Sequence, residues 1–197
     1  MSAVWECGNN FEKTKGVKSE LVYGALLKDA DFTVAIPVYG ISRTLPDTLR
    51  NVAELRKNSL KVQIIISDNK PDDDIKKFAH LIENAKIENV ALYTTNKSLG
   101  QLGNFNRCIE LTRTNYLAML HDDDLFVRNY YDLVERMLPY LKEHPQIGLI
   151  QGRRINFSTS PELKETKRLR LYPVKRYFVT YAGYSAAEIP SCGMIFN

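Results

Sequence analysis

Tyr116-Leu117-Ala118-Met119-Leu120-His121-Asp122-Asp123-Asp124-Leu125 passes from a short apolar run straight into three carboxylates. Such a run reads as a buried strand that ends by releasing its charges at the edge of a sheet. In open α/β sheets, ligands bind outside the carboxyl ends of the strands. Adjacent carboxylates repel one another and are costly to desolvate, and a divalent cation shared with the phosphates of a nucleotide relieves both problems. The triplet reads as a metal–diphosphate site.

Working outward, strand and helix patterns alternate on both sides of it. Strands are expected at Phe32–Val38, Lys61–Ser67, Val90–Tyr93, Tyr116–Leu120 and Ile147–Gln151. Helices are expected at Leu45–Lys57, Asp73–Ala85, Leu102–Thr112 and Val127–Lys142, with apolar residues at helical spacing, as in Ile75, Phe78, Ala79 and Ile82. Short links between alternating elements imply a mostly parallel, Rossmann-like sheet with helices on both faces. Residues 1–31 form a polar lead-in, partly helical around Glu20–Lys28; residues 32–152 form the α/β core; residues 153–197 begin a less regular, incomplete region. Within that last part, 158–176 reads as a basic loop or short hairpin and Tyr177–Ala187 as a short helix. Met194-Ile195-Phe196 reads as a strand, and an apolar run just before Asn197 implies a C-terminal truncation.

The 197 residues suit one sizeable α/β domain. A net charge of +4 is too mild to imply nucleic acid. No stretch approaches the ~18 uninterrupted apolar residues of a membrane span, and the first residues lack the apolar segment of a secretory signal. Cys7, Cys108 and Cys192 make neither a disulfide framework nor a metal motif. These features place the chain in the reduced cytoplasm, with a peripheral site at the inner face of the membrane left open.

Each motif has a bland alternative. The turn after the first core strand, Val38-Tyr39-Gly40-Ile41-Ser42-Arg43, carries no G-x-G-x-x-G, and no G-x-x-x-x-G-K-[ST] occurs, so dinucleotide dehydrogenases and P-loop NTPases lose their support. Asp68, in Ser67-Asp68-Asn69, is an acceptor suited to a base or ribose, or else part of an Asx-turn. Asp72-Asp73-Asp74 follows Pro71 and opens a helix, where negative charge is favoured without any ligand. Asp124 alone has a structural alternative as a local cap. His121 reads as a packing or hydrogen-bonding residue. Asn96–Arg107 offers two glycines, three asparagines and the cations Lys97 and Arg107 before a helix, a setting for phosphate or ribose. The run Lys164, Lys167, Arg168, Arg170, Lys175 and Arg176 is either a solvated loop or a contact for an anionic acceptor or phospholipid.

Taken together, residues 32–197 resemble the GT-A glycosyltransferases of the large family 2. Val34-Ala35-Ile36-Pro37-Val38-Tyr39-Gly40 is similar to that family's opening strand and turn, with Gly40 where Asn is usual. Ile64–Asn69 resembles its second-strand motif, Gly100–Leu111 the helix before the metal strand, and Tyr116–Asp124 its D-x-D strand. His121 stands in place of the first acid of Asp-x-Asp-Asp, leaving Asp122 and Asp123 to supply the pair. The resemblance implies nucleotide contacts from Pro37, Tyr39, Asp68, Asn106 and Asp122, and a divalent cation, Mn²⁺ or Mg²⁺, on Asp123. Ile189–Phe196 resembles the acceptor-side strand. The family's general base comes some way after that strand and is expected beyond Asn197, so no residue of this chain is named as the base.

The function so implied is transfer of a sugar from a nucleoside diphosphate sugar, UDP-sugar favoured, to a saccharide or lipid-linked acceptor hydroxyl. Inversion at the anomeric carbon, metal dependence and a place in cell-surface polysaccharide or glycolipid synthesis are part of the same expectation. Two rivals stand beside it. A sugar nucleotidyltransferase would want a Gly-rich basic loop after the first strand, where Gly40-Ile41-Ser42-Arg43 is poor. A non-catalytic nucleotide- or sugar-binding module would need no base. A phosphatase of the Asp-cluster type would want a nucleophilic Asp where Pro37-Val38-Tyr39 stands.

Overall fold

A computed structural model describes residues 14–55, 59–72 and 74–151, together with strand segments at 155–156, 164–165, 170–173 and 194–196. In chain order the elements are β1 (Ser19–Gly24), β2 (Phe32–Val38), α1 (Leu45–Glu54), β3 (Val62–Asp68), α2 (Ile75–Asn84), β4 (Val90–Thr95), α3 (Gly100–Leu111), β5 (Leu117–Met119), α4 (Tyr130–Glu143) and β6 (Ile147–Gln151). The short strands β7 (Ile155–Asn156), β8 (Lys164–Glu165), β9 (Arg170–Pro173) and β10 (Met194–Phe196) follow.

Every residue of β2 and β3 is buried, the pattern of central strands covered on both faces. Val34, Ile36 and Val38 of β2 and Ile64 and Ile66 of β3 face one core, shared with Leu45, Leu49 and Val52 of α1, Phe78 and Ile82 of α2, and Val134, Leu138 and Leu141 of α4. Ala35, Ile65, Ala91, Leu117 and Met119 face the other, where Cys108 of α3 packs. The alanines there leave room for α3 to lie close to the strands. Burial pushes the Cys108 thiol up to about 12, so it stays protonated and serves as a small apolar group.

The main sheet has the order β1-β4-β3-β2-β5-β10-β6-β9. β2 is parallel to β3 and β5, and β3 is parallel to β4. The chain therefore builds outward from β2 through β3 to β4, then returns to place β5 on the other flank of β2. That reversal is a topological switch point, and it opens a crevice between the carboxyl ends of β2 and β5. β5 is short, but its flanks continue the ladder: Thr33 N donates to Tyr116 O at 3.0 Å and Leu120 N to Ala35 O at 2.9 Å.

Two expectations are corrected. The helix placed around Glu20–Lys28 is instead β1, antiparallel to β4 from Ser19↔Thr95 to Gly24↔Ala91. None of its residues is fully buried, as suits an edge strand, and the good helix formers Glu20 and Leu21 are overridden by pairing with a strand some seventy residues away. The fifth strand does not extend the parallel ladder directly. β10 lies between β5 and β6, antiparallel to both, so β6 keeps the direction of β5 at one remove. The loop or hairpin expected within 158–176 is not a self-contained pair among the described residues: β8 pairs with β7, which precedes that stretch, and β9 pairs with β6. The helix at Tyr177–Ala187 lies outside the described residues, as do Cys7, Cys192, Asn197 and all of the basic run except the backbone at Lys164 and Arg170. Among the described residues, no helix is long and apolar enough to cross a membrane.

Candidate functional site

At the switch point lies a cleft of ≈ 620 Å³, lined on one side by Pro37, Val38 and Tyr39 and on the other by His121, Asp122 and Asp123, with Asn69, Ser98, Gly100, Gln101, Asn104 and Phe105 closing the end. Its volume is that of an ordinary small-ligand site. β2 delivers Tyr39, which is 65% exposed, a free aromatic face at the rim. The N-terminal turn of α3 looks into the same space through Gly100 and Gln101, presenting the positive end of its dipole.

Three groups of the acidic loop converge. One ligand atom each from His121, Asp123 and Asp124 lies within 4.8 Å of the others. His121 Nδ1 is 3.7 Å from Asp124 Oδ2, and its ring stacks on Phe105 at 5.2 Å between centroids and 16° between planes. An imidazole held flat against an aromatic ring is fixed in direction. The packing role expected of His121 is there, and the same ring is also a member of the cluster. Asp124 joins it rather than serving only as a cap, while Asp122 lines the cleft beside it.

Of the other residues singled out in the sequence, Pro37 and Tyr39 line the cleft and Asp68 and Asn106 do not. Asp68 is fully buried at the end of β3, its Oδ1 accepting from Gly40 N at 2.8 Å and Lys70 N at 3.0 Å. It fastens the turn that carries Tyr39; Gly40 takes φ +72°, a conformation glycine adopts without strain. Arg107, paired with Lys97 as a phosphate cation, is turned away. Its guanidinium donates to Thr14 O at 3.0 Å, Val17 O at 2.6 Å and Ser19 Oγ at 3.0 Å, and it pairs with Glu110 at 3.1 Å. It ties the segment before β1 to α3. Asn197, beyond which the general base is expected, lies outside the described residues.

The sequence offers the cleft's two asparagines only within longer motifs, Ser67-Asp68-Asn69 and Asn96–Arg107, and gives neither a site role of its own. Asn104, two positions before the one expected, is buried and stitches the strand ends together: its Nδ2 donates to Val38 O at 3.1 Å and Ser67 O at 3.0 Å, and its Oδ1 accepts from Ser67 Oγ at 2.7 Å. Asn69 does the same for the α3 entry, accepting from Leu99 N at 2.6 Å and donating to Gly100 O at 3.2 Å and Ser98 Oγ at 3.3 Å. A helical wheel offered a signal for Asn104, which follows Gly100 by one turn and so shares its face.

The sequence model described as "Glycosyl transferase family 2" matches residues 33–196, nearly the whole chain. The chain belongs to glycosyl transferase family 2. A curated relative, "Uncharacterized glycosyltransferase MG060" of Mycoplasma genitalium, is 23% identical over 107 residues, covering 53% of this chain and 36% of the relative. Among solved structures, the mannosyltransferase PcManGT from Pyrobaculum calidifontis, in complex with GDP-Man and Mn²⁺, superposes with a TM-score of 0.50 at 16% identity, covering 68% of this chain and 37% of that one. S. aureus TarS 1–349 superposes with a TM-score of 0.48 at 14% identity, covering 60% and 34%. This family 2 chain thus spans about a third of the length of the relatives it matches. Its mostly parallel α/β sheet is the GT-A fold that the sequence motifs imply.

Proposed function

We propose that this chain forms the donor-binding part of a glycosyltransferase that takes a sugar from a nucleoside diphosphate sugar, UDP-sugar first among them, and passes it to a saccharide or lipid-linked hydroxyl. The observation that carries the reading is the convergence of His121, Asp123 and Asp124, the first two lining a cleft at the sheet's switch point that also takes in the N-terminus of α3. Membership of family 2 supports the reaction class, and the nucleotide sugar and Mn²⁺ of PcManGT, a protein of the same fold, support the ligand class.

The donor set fits a divalent cation. Two carboxylates and one imidazole within 4.8 Å suit Mn²⁺, which accepts nitrogen more readily than Mg²⁺ does. When bound there, such an ion would supply Lewis-acid stabilisation of the departing diphosphate. Asp123, the more exposed carboxylate, would hold it, with Asp124 and His121 completing the protein's share. Asp122 would stand next to the ribose. The α3 N-terminus, opposite, would stabilise the developing negative charge through its amides. Tyr39 would offer its face to the base, and Asp68 would set the base end of the cleft through the Tyr39–Gly40 turn it fastens. Pro37 has no N–H to leave unpaired at the strand end, which suits the floor of a ligand site. Asn106, half-buried outside the cleft, would support α3. Inversion at the anomeric carbon, a general base supplied from beyond Asn197, assembly of cell-surface glycans and a peripheral position at the membrane belong to the same proposal.

The test is calorimetric titration of UDP, GDP and dTDP, each with and without Mn²⁺. One diphosphate should bind in a metal-dependent way and lose that binding in Asp123→Asn. Binding indifferent to Mn²⁺ and to that substitution would sink the metal reading. No heat from any diphosphate, in a sample folded by circular dichroism, would sink the donor-site reading.

A further inference from the structure

The acidic loop is held from outside the cleft by two polar residues of α1. Thr48 stands on the buried face of that helix, 1% exposed, among Leu45, Leu49 and Val52. A buried hydroxyl needs a partner, and a mid-helix threonine usually finds one in the carbonyl a turn back. Thr48 instead reaches across to the loop: its Oγ1 lies 3.0 Å from Asp122 O and 3.1 Å from Asp124 O, and its single proton is shared between them. One turn further on, Asn51 pairs with the backbone of Phe126 in both directions. Its Nδ2 donates to Phe126 O at 3.1 Å and its Oδ1 accepts from Phe126 N at 2.8 Å. Phe126 is itself locked, stacked on Tyr130 with 3.7 Å between centroids.

We infer that Thr48 and Asn51 are positioning residues for the metal–diphosphate loop, fixing the backbone on either side of Asp123 and at Phe126 so that the three ligand groups meet before any ligand arrives. The inference rests on the proposed metal reading and adds to it the residues that set the geometry. Four contacts between this helix face and residues 122, 124 and 126 leave the Asp123 side chain free to point into the cleft. Without them, the mutual repulsion of Asp122, Asp123 and Asp124 would spread the loop. Groups that orient metal ligands typically matter by about 10–100-fold in metal affinity.

Thr48→Val keeps the shape of the side chain and removes the hydroxyl; Thr48→Ser keeps the hydroxyl; Asn51→Ala, at a half-buried position, tests the second contact independently. Mn²⁺ affinity of the whole chain would be read by electron paramagnetic resonance with UDP present, and UDP affinity alone by calorimetry in a chelator. Thr48→Val and Asn51→Ala should each weaken Mn²⁺ by about 10-fold or more, leave metal-free UDP affinity unchanged, and speed amide exchange in residues 122–126, while Thr48→Ser stays near wild type. Wild-type binding of Mn²⁺ that both variants retain overturns the clamp alone. Failure of the wild type to bind Mn²⁺ overturns the metal reading and the clamp's purpose with it. Equal loss of metal and metal-free UDP affinity marks a general structural role and also overturns the inference.

Discussion

Asp74 and Asp123 are both exposed carboxylates within acidic triplets, yet their surroundings give them different work. Asp74 is the N-cap of α2: its Oδ1 accepts from Lys76 N at 3.1 Å and Lys77 N at 3.2 Å. The backbone hydrogen bond from Lys77 holds its carboxyl below the usual carboxylate range, with the Lys77 charge assisting. Asp123 sits in a turn between a strand and a helix, where carboxylates gather instead of capping. Asp74→Ala should therefore lower the melting temperature and leave nucleotide binding untouched, while Asp123→Asn should do the reverse. The Asp74 contribution is also pH-dependent. A lowered native pKa means the stabilisation is present above the unfolded carboxylate value and is lost as pH falls through the native one. Melting curves of wild type and Asp74→Ala should accordingly differ at neutral pH and converge in acid; a gap that persists in acid would mean the cap acts by shape and not by charge. The sequence already separated these two triplets, because position after Pro71 at a helix start is a local signal. It gave the pair to Asp122 and Asp123 and a capping alternative to Asp124, whereas Asp124 is the carboxylate that lies beside His121, because which one turns that way depends on how Thr48 and Asn51 hold the loop.

At the scale of elements, local signals located those within the parallel core and missed those set by distant pairing. β2, β3, β4 and α1 to α4 appear where alternation of apolar runs and helical spacing put them, with shifts of a few residues at their ends. Helix boundaries moved because caps decide them: α3 begins at Gly100, earlier than the first apolar signal, with Asn69 holding the entry turn. β1 was illegible because it owes its state to β4. Its exit turn is where that dependence is sharpest. Gly24 takes φ +75°, and a Cβ there would lie 2.0 Å from Val90 O, the acceptor of the Ala25 N–H. Gly24→Ala must break that contact and strain the backbone, a cost above ~1 kcal/mol. Urea unfolding should show a lower midpoint, and limited proteolysis should gain a cut between β1 and β2. A midpoint equal to wild type would mean that β1 contributes little to the sheet.

For the molecule as a whole, the fold places chemistry by order of strands more than by any single residue. The reversal from β4 back to β5 sets Tyr39 and the acidic loop on two walls of one crevice, while α3 and Asn104 close it from behind. The antiparallel insertion of β10 between β5 and β6 means that residues near 195 join the sheet next to β5, the strand that leads into the acidic loop, a contact no local pattern could reveal. A site built from so many separated segments exists only in the native state, so its ligands must stabilise that state by mass action. At about 100 times the dissociation constant, a ligand adds ~2.7 kcal/mol. For a chain of this size each kcal/mol moves the midpoint by ~2–4 °C, which gives a rise of about 5–10 °C. Differential scanning fluorimetry should show that rise with the cognate diphosphate and Mn²⁺ together, a smaller one with either alone, and none with Asp123→Asn. Equal shifts from Mn²⁺ alone and from the pair would place the metal elsewhere than beside the nucleotide. Equal shifts in wild type and Asp123→Asn would separate binding from the acidic loop, and the function argued from that loop would fall.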